Sequence, residues 1–235
     1  MEMASPARPV HAAPVGAQKS NPVVIAIDGP GASGKSSTAR ALAKALNYLY
    51  VDTGAMYRTL AWYCLRKKVD VTKPRAIASA CRRWKTQLLV EDGQVRLLVD
   101  GEDPGAAIRT SEVAAAASKV AVVPAVRRWM KQTQRECSRF GNIVMEGRDI
   151  GSNVFPETDF KFFLDAPAEE RAKRREAQGV NENMVERDRR DSQRGAAPLM
   201  IALGATVINN AGLTLEQTRD AIVNEIARRR QANGI

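Results

Sequence analysis

The chain has 235 residues, 44% of them hydrophobic, enough to build one substantial core with room for an insert. Its formal charge of +10, from 36 basic and 26 acidic residues, points to anionic partners, either small polyanions or nucleic acid, unless it is simply a solvated basic surface. No apolar run approaches a membrane span, the three cysteines lack CxxC spacing and suit a reducing compartment, and the one histidine, His11, sits in the N-terminal tail, which argues against histidine general-base chemistry.

Residues 1–21 are rich in Ala and Pro without hydrophobic periodicity and are expected to form a disordered tail. Arg8 and Lys19 among few acids are a faint organellar-targeting signal, and the prolines oppose the amphipathic helix such a signal needs. The run Val23-Val24-Ile25-Ala26-Ile27 reads as a buried strand. Then comes Gly29-Pro30-Gly31-Ala32-Ser33-Gly34-Lys35-Ser36, which fits G-x-x-x-x-G-K-[ST], and Ala39, Leu42, Ala43 and Leu46 follow at helical spacing. Strand, glycine-rich loop and helix are the context that motif requires. Glycines let successive N–H groups converge on a phosphate, and the helix N-terminus adds unpaired donors and a positive dipole end. Gly29 to Ser37 are therefore the candidate triphosphate-binding residues, with Lys35 reaching the β- and γ-phosphates and Ser36 holding Mg²⁺.

Tyr48-Leu49-Tyr50-Val51 reads as a second strand ending in Asp52-Thr53-Gly54-Ala55-Met56-Tyr57-Arg58, with a helix from about Gly54. Polar residues at a strand end are where open α/β sheets bind ligands, although Asp52 and Thr53 are equally good helix caps. In residues 70–110 two apolar runs flank Glu91-Asp92-Gly93-Gln94, a hairpin signal, expected as an insert covering the second substrate. Two helices, residues 111–122 and 124–140, break at Pro124. Asn142-Ile143-Val144-Met145 is the third core strand, followed by Glu146-Gly147-Arg148-Asp149-Ile150-Gly151. A fourth strand, residues 161–164, precedes a basic helix at 168–177 and an arginine-dense stretch to residue 194. Such density is either a solvated face or, opposite a triphosphate, a closing lid. A last strand at 205–208 precedes a helix that Thr214 and Gln217 start as a capping box, expected to bury Leu215, Ile222 and Ile226.

These blocks resemble bacterial cytidylate kinase. The resemblance is carried by Ile27-Asp28-Gly29-Pro30 with the phosphate loop, Asp52 to Arg58, Ile108-Arg109-Thr110, Ala117-Ser118, Pro124-Ala125-Val126-Arg127, Glu146 to Gly151, Val154-Phe155-Pro156 and Arg187 to Arg194, in order along the chain. It implies an α/β P-loop kinase fold of three layers: a parallel sheet flanked by helices, with an inserted monophosphate-binding domain and a basic lid. The organisation expected is a tail at 1–21, core with the phosphate loop at 22–69, inserted region at 70–123, core at 124–170, lid at 171–194 and core at 195–235. It implies transfer of the γ-phosphoryl group of ATP to CMP or dCMP, with Mg²⁺, in a cytoplasmic monomer with no polymer or membrane partner. It assigns Thr53, Tyr57, Arg58, Ser118, Arg127, Arg148, Asp149, Arg187 and Asp191 to the monophosphate substrate.

Physical chemistry supports that division. Cytosine offers an exocyclic amine that a carboxylate accepts, so Asp149 is the candidate base reader, with Ser118 and Arg127 for N3 and O2. The competing reading of Asp149 is an ordinary salt bridge. Guanidinium forks match phosphate oxygens, which makes Arg58, Arg148 and Arg187 candidates for the phosphoryl groups and Lys35, Arg148, Arg187 and Arg194 the candidate catalytic set. Asp191 is the candidate for the ribose hydroxyls. Asp28, Asp52 and Glu146 are strand-end acids able to orient metal-bound water, and the sequence does not rank them. The stretch between Glu176 and Arg187 is shorter than the family's usual lid. Two rivals remain: a phosphate-loop kinase for shikimate or another nucleotide, and a nucleic-acid-dependent ATPase, against which only 5% of residues are aromatic.

Overall fold

A computed structural model describes residues 21–177, 189 and 199–234. Seven strands form one sheet in the order β3-β4-β2-β5-β1-β6-β7 among these residues. They are β1 (Val24–Asp28), β2 (Leu49–Asp52), β3 (Thr86–Glu91), β4 (Gln94–Val99), β5 (Ile143–Glu146), β6 (Phe160–Asp165) and β7 (Thr206–Asn209). The helices are α1 (Lys35–Leu46), α2 (Thr53–Arg66), α3 (Pro74–Arg83), α4 (Ser111–Val120), α5 (Pro124–Glu136), α6 (Ala168–Glu176) and α7 (Leu215–Asn233).

The alternation of strand side chains decides the layering. Val24 and Ala26 of β1, with Ile143 and Met145 of β5, face a core shared with Leu60, Val120, Val126 and Met130 of α2, α4 and α5. Ile25 and Ile27, with Val144, face the opposite core, shared with Leu42 of α1 and Ile222 and Ile226 of α7. A strand covered on both faces must be apolar throughout, as the first one is. All five residues of β1 are buried.

β1 pairs in parallel with β5 on one side and β6 on the other, matching Ile27 to Glu146 and Asp28 to Phe163. Strand order therefore reverses at β1, the place where an α/β sheet opens a crevice beyond its carboxyl ends. Asp28, Asp52 and Glu146 end their strands side by side at that crevice, Asp52 paired in register with Glu146.

Three local expectations are revised. The hairpin of β3 and β4 forms with Asp92 and Gly93 at its turn, yet it does not stand apart from the core, because β4 bonds in parallel to β2 through Tyr50↔Gln94 and Val51↔Val95. Its strands extend the main sheet. The second helix of the Pro124 pair ends early, at Glu136, and continues as a 3-10 turn, Cys137–Phe140. The Thr214 capping box forms and Ile222 and Ile226 are buried, but Leu215 is exposed, since the first residue after the cap points outward here. No helix among the described residues is long and apolar enough to cross a membrane.

Gly29 shows why the loop after β1 needs glycine. Its φ is +149°, and a Cβ there would lie 2.1 Å from the Leu164 carbonyl oxygen of β6. That neighbour is backbone inside the sheet and has no room to retreat. Gly29→Ala is expected to destabilise the fold by roughly 2–4 kcal/mol, read as a fall in the thermal or urea midpoint. An unchanged midpoint would mean that the close approach to β6 is not enforced.

Candidate active site

The phosphate loop is held from outside. Ala32 and Gly34 take positive φ, and Gly34 precedes α1 without any side-chain cap, leaving the first-turn N–H groups for an anion. Lys35 is buried, and its ammonium donates to the Pro30 carbonyl at 2.5 Å and to Ser33 Oγ at 3.3 Å. Ser36 and Ser37 are exposed at the start of α1. Three residues outside the motif brace the loop. The Asn210 amide donates to the Ser33 carbonyl at 2.8 Å, Arg174 donates to Asn210 Oδ1 at 3.2 Å, and Arg171 donates to the carbonyls of Gly31 (3.2 Å) and Ala166 (2.8 Å). Arg171 is buried, so part of the arginine density of α6 supports the loop rather than facing solvent. Sequence reasoning missed this set. The available signal was the polar pair Asn209-Asn210 directly after the last strand, a position equivalent to the other strand ends.

The three strand-end acids separate by their partners. Asp28 accepts the N–H groups of Ile150 and Gly151, both at 2.8 Å. Burial pushes its carboxyl up to about 6, and the Asp149 charge adds to the rise, while the two N–H donors and Lys35 oppose it. Asp52 caps α2 by accepting from the Ala55 N–H at 2.7 Å and pairs with Arg58 at 3.0 Å. Glu146 takes the Tyr50 hydroxyl at 2.9 Å. Its carboxyl is raised by burial and by Asp52, against which Lys35, Ser36 and Tyr50 act. Lys35 therefore acts on Glu146 as it does on Asp28, and among the described residues no backbone N–H or arginine donates to the Glu146 carboxylate.

On the other side of Glu146 lie the proposed monophosphate residues. The Thr53 hydroxyl donates to the Glu146 carbonyl at 2.7 Å. A Cβ at Gly147 would sit 2.6 Å from Ile150 Cδ1 and 2.8 Å from Thr53 Oγ1, so any larger residue there would have to displace both side chains. Half-buried Arg148 donates to the Gly147 carbonyl at 3.3 Å. Asp149 is buried and pairs with the equally buried Arg127 at 2.6 Å. Arg127 also donates to the Ala121 carbonyl at 3.3 Å and lies 6.0 Å from the Tyr57 ring centroid. Its Nε and that of Arg58 are buried without a hydrogen-bond partner among the described residues. Ser118 is exposed on α4, one turn before Ala121, and no hydrogen bond joins it to Arg127 or Asp149 among the described residues. Arg187, Asp191 and Arg194, with most of the expected lid, lie outside the described residues.

The salt bridge expected of Asp149 as its competing reading forms, with Arg127 as the basic partner.

The sequence model of the family described as cytidylate kinase matches residues 25–228. The chain belongs to the cytidylate kinase family. Among curated relatives, a cytidylate kinase of Solibacter usitatus is 42% identical over 232 residues, covering 92% of this chain and 97% of the relative. One from a Geobacillus species is 40% identical, covering 89% and 98%, and one from Pasteurella multocida is 41% identical, covering 84% and 92%. Membership makes the chain a nucleoside monophosphate kinase of the P-loop class, and the parallel sheet flanked by helices is the architecture such a kinase needs.

Asp28 yields a pH prediction. Its folded-state value lies above the ordinary 3.8, so folding favours the protonated form. The associated stability is full below pH 3.8 and is lost as pH rises through about 6. Asp28→Asn keeps one acceptor instead of two and should cost about 1–3 kcal/mol. The midpoint gap between wild type and variant, followed by thermal melts across this range, should be widest near pH 4 and narrow above pH 6. A gap independent of pH would contradict the assignment.

Proposed function

We propose that the enzyme transfers the γ-phosphoryl group of ATP to CMP or dCMP, giving ADP and CDP or dCDP, by in-line displacement. The observation that carries this reading is the buried Arg127–Asp149 pair, set beyond the carboxyl end of β5, beside the strand that feeds the phosphate loop. In this reading residues 70–123 form the monophosphate-binding region and residues 171–194 the basic lid. We also infer a cytoplasmic monomer acting on free nucleotides; the buried, unpaired cysteines are compatible with a reducing compartment.

The triphosphate is cradled by the N–H groups of Gly31 to Gly34 and the first turn of α1, with Lys35 on its outer phosphates. The monophosphate is met by Thr53, Tyr57 and Arg58, whose guanidinium leaves Asp52 or shares with it on binding. Arg148, with Arg187 and Arg194 from the lid, spreads positive charge over the transferring group, where such charge lowers the barrier most. Asp191 takes the ribose. The acceptor is a phosphate oxygen already ionised near neutral pH, so no side-chain base is needed. Asp149 accepts the cytosine amine, and the uracil carbonyl in its place would meet a carboxylate. Sites built on such bonds reject the wrong partner by roughly 10⁴-fold.

Magnesium fits the residues present. The exposed Ser36 hydroxyl and the Glu146 carboxylate are hard oxygen donors, and no cluster of three or more His, Cys, Asp or Glu among the described residues offers a separate cage. That suits an ion held chiefly by phosphates and water, with Ser36 as ligand and Glu146 orienting water. When bound, the ion neutralises phosphate charge.

The decisive experiment is turnover on CMP, dCMP, UMP and AMP with ATP and magnesium. CMP or dCMP should exceed UMP and AMP. Preference for AMP, or no nucleotide turnover, would favour another acceptor, and stimulation of ATPase activity by RNA or DNA without CMP turnover would favour a polymer-dependent enzyme. Arg148→Ala should lower kcat by roughly a hundredfold or more at saturating CMP while leaving the melting midpoint near wild type. Equal kcat would remove Arg148 from the catalytic set. Chelation of magnesium should abolish turnover and its re-addition restore it.

A further inference from the structure

Asp149 has a second, half-buried neighbour besides Arg127. The Asn153 amide donates to Asp149 Oδ2 at 2.8 Å, the same oxygen that Arg127 holds at 2.6 Å. Oδ1 receives no hydrogen bond among the described residues. Two donors on one oxygen fix the rotation of a carboxylate and turn the other oxygen to whatever lies opposite.

The geometry that brings Asn153 back onto Asp149 is local. Ile150–Val154 forms one π-helical turn, closed by Phe155 N–H to the Ile150 carbonyl at 2.7 Å, and the N–H groups of Asn153 and Val154 both reach the Asp149 carbonyl, at 3.0 and 3.2 Å. The turn is pinned at its start by Asp28, through Ile150 and Gly151. The orientation of the Asn153 amide is set as well. Lys131 of α5 donates to Asn153 Oδ1 at 3.2 Å, and an ammonium can only donate, so the oxygen faces Lys131 and the NH₂ faces Asp149.

We propose that Asn153 is a specificity-positioning residue: with Lys131 it locks the Asp149 carboxylate so that Oδ1 is presented to the exocyclic amine of the pyrimidine. The inference rests on the cytosine-reading role of Asp149. It goes further by assigning selectivity to a residue that touches neither nucleotide. Without the Asn153 donor the carboxylate is held by Arg127 alone and swings, which weakens the bond to the amine and relaxes the penalty against a carbonyl. Phosphoryl transfer itself, carried by groups on Arg148 and the phosphate loop, is left in place.

The test compares wild type with Asn153→Asp, which keeps the shape and the Lys131 contact but has no N–H to give, and with Asn153→Ala. Calorimetric Kd values for CMP and UMP and steady-state kinetics on both are read beside the melting midpoint. Both variants should weaken CMP binding about tenfold and shrink the CMP-to-UMP ratio of kcat/KM by tenfold or more, with KM for ATP unchanged and kcat at saturating CMP within about twofold. Lys131→Met, which leaves Asn153 in place but frees its amide to turn over, should move the same ratio in the same direction by less. It serves also if the Asn153 variants do not fold. An unchanged ratio in the folded variants overturns the proposal. So does a wild type that fails to prefer CMP, and that result would fell the cytosine reading itself rather than Asn153 alone.

Discussion

The Asp28 carboxylate is the interaction on which the rest of the site hangs. It ends the central strand, directly before the phosphate loop, and it accepts the first two N–H groups of the turn that carries Asp149. One side chain therefore joins the two halves of the crevice. A carboxylate suits the task because its two oxygens serve two parallel backbone donors at once, which an amide cannot do. The cost is visible in its raised carboxyl, since the charge is taken out of water beside another acid. Buried charge of this kind is tolerated where it enforces a geometry, and here it fixes the turn that carries Asp149 against the start of the phosphate loop.

Around that joint the site is built in two shells. In the proposed reading the inner residues are amides and a lysine for the triphosphate and guanidinium groups for the monophosphate. The outer residues hold these in place. Asn210 and Arg171 hold the loop carbonyls of Ser33 and Gly31, Arg174 braces Asn210, and Tyr50 steadies Glu146 from the neighbouring strand. The carbonyls of Pro30, Gly31 and Ser33 are thereby satisfied by side chains of the protein itself. The Nε atoms of Arg58 and Arg127 are buried without a partner among the described residues, which is the expectation for groups that a ligand completes.

Much of this was legible residue by residue. The phosphate loop declares itself because its chemistry needs glycine where the backbone turns and lysine at the helix start, and strand–loop–helix periodicity confirms the setting. Asp149 was readable as a candidate from the family resemblance and because a carboxylate can accept the cytosine amine. Its partnership with Arg127, 22 residues away, was not readable as a contact, because it depends on how α5 packs over the π-helical turn. Asn153 carried no signal at all: an isolated asparagine after a glycine and a serine reads as loop. The hairpin of β3 and β4 was recognised as a hairpin, but its register against β2 is a long-range pairing that local turn chemistry does not encode.

The sequence by itself determined which segments are strands and helices, where the phosphate loop lies, and which family the chain resembles, since each follows from short-range periodicity, turn residues and motif chemistry. The tertiary structure alone decided how those segments meet. It set Asp52 in register with Glu146, placed Asn210 under a loop 177 residues earlier, and sorted three similar acids into a joint, a cap and a carboxylate held by Tyr50. The physical reason is that burial and hydrogen-bond partners belong to the packed sheet, not to the residue, and the role of a buried acid is fixed by its partners.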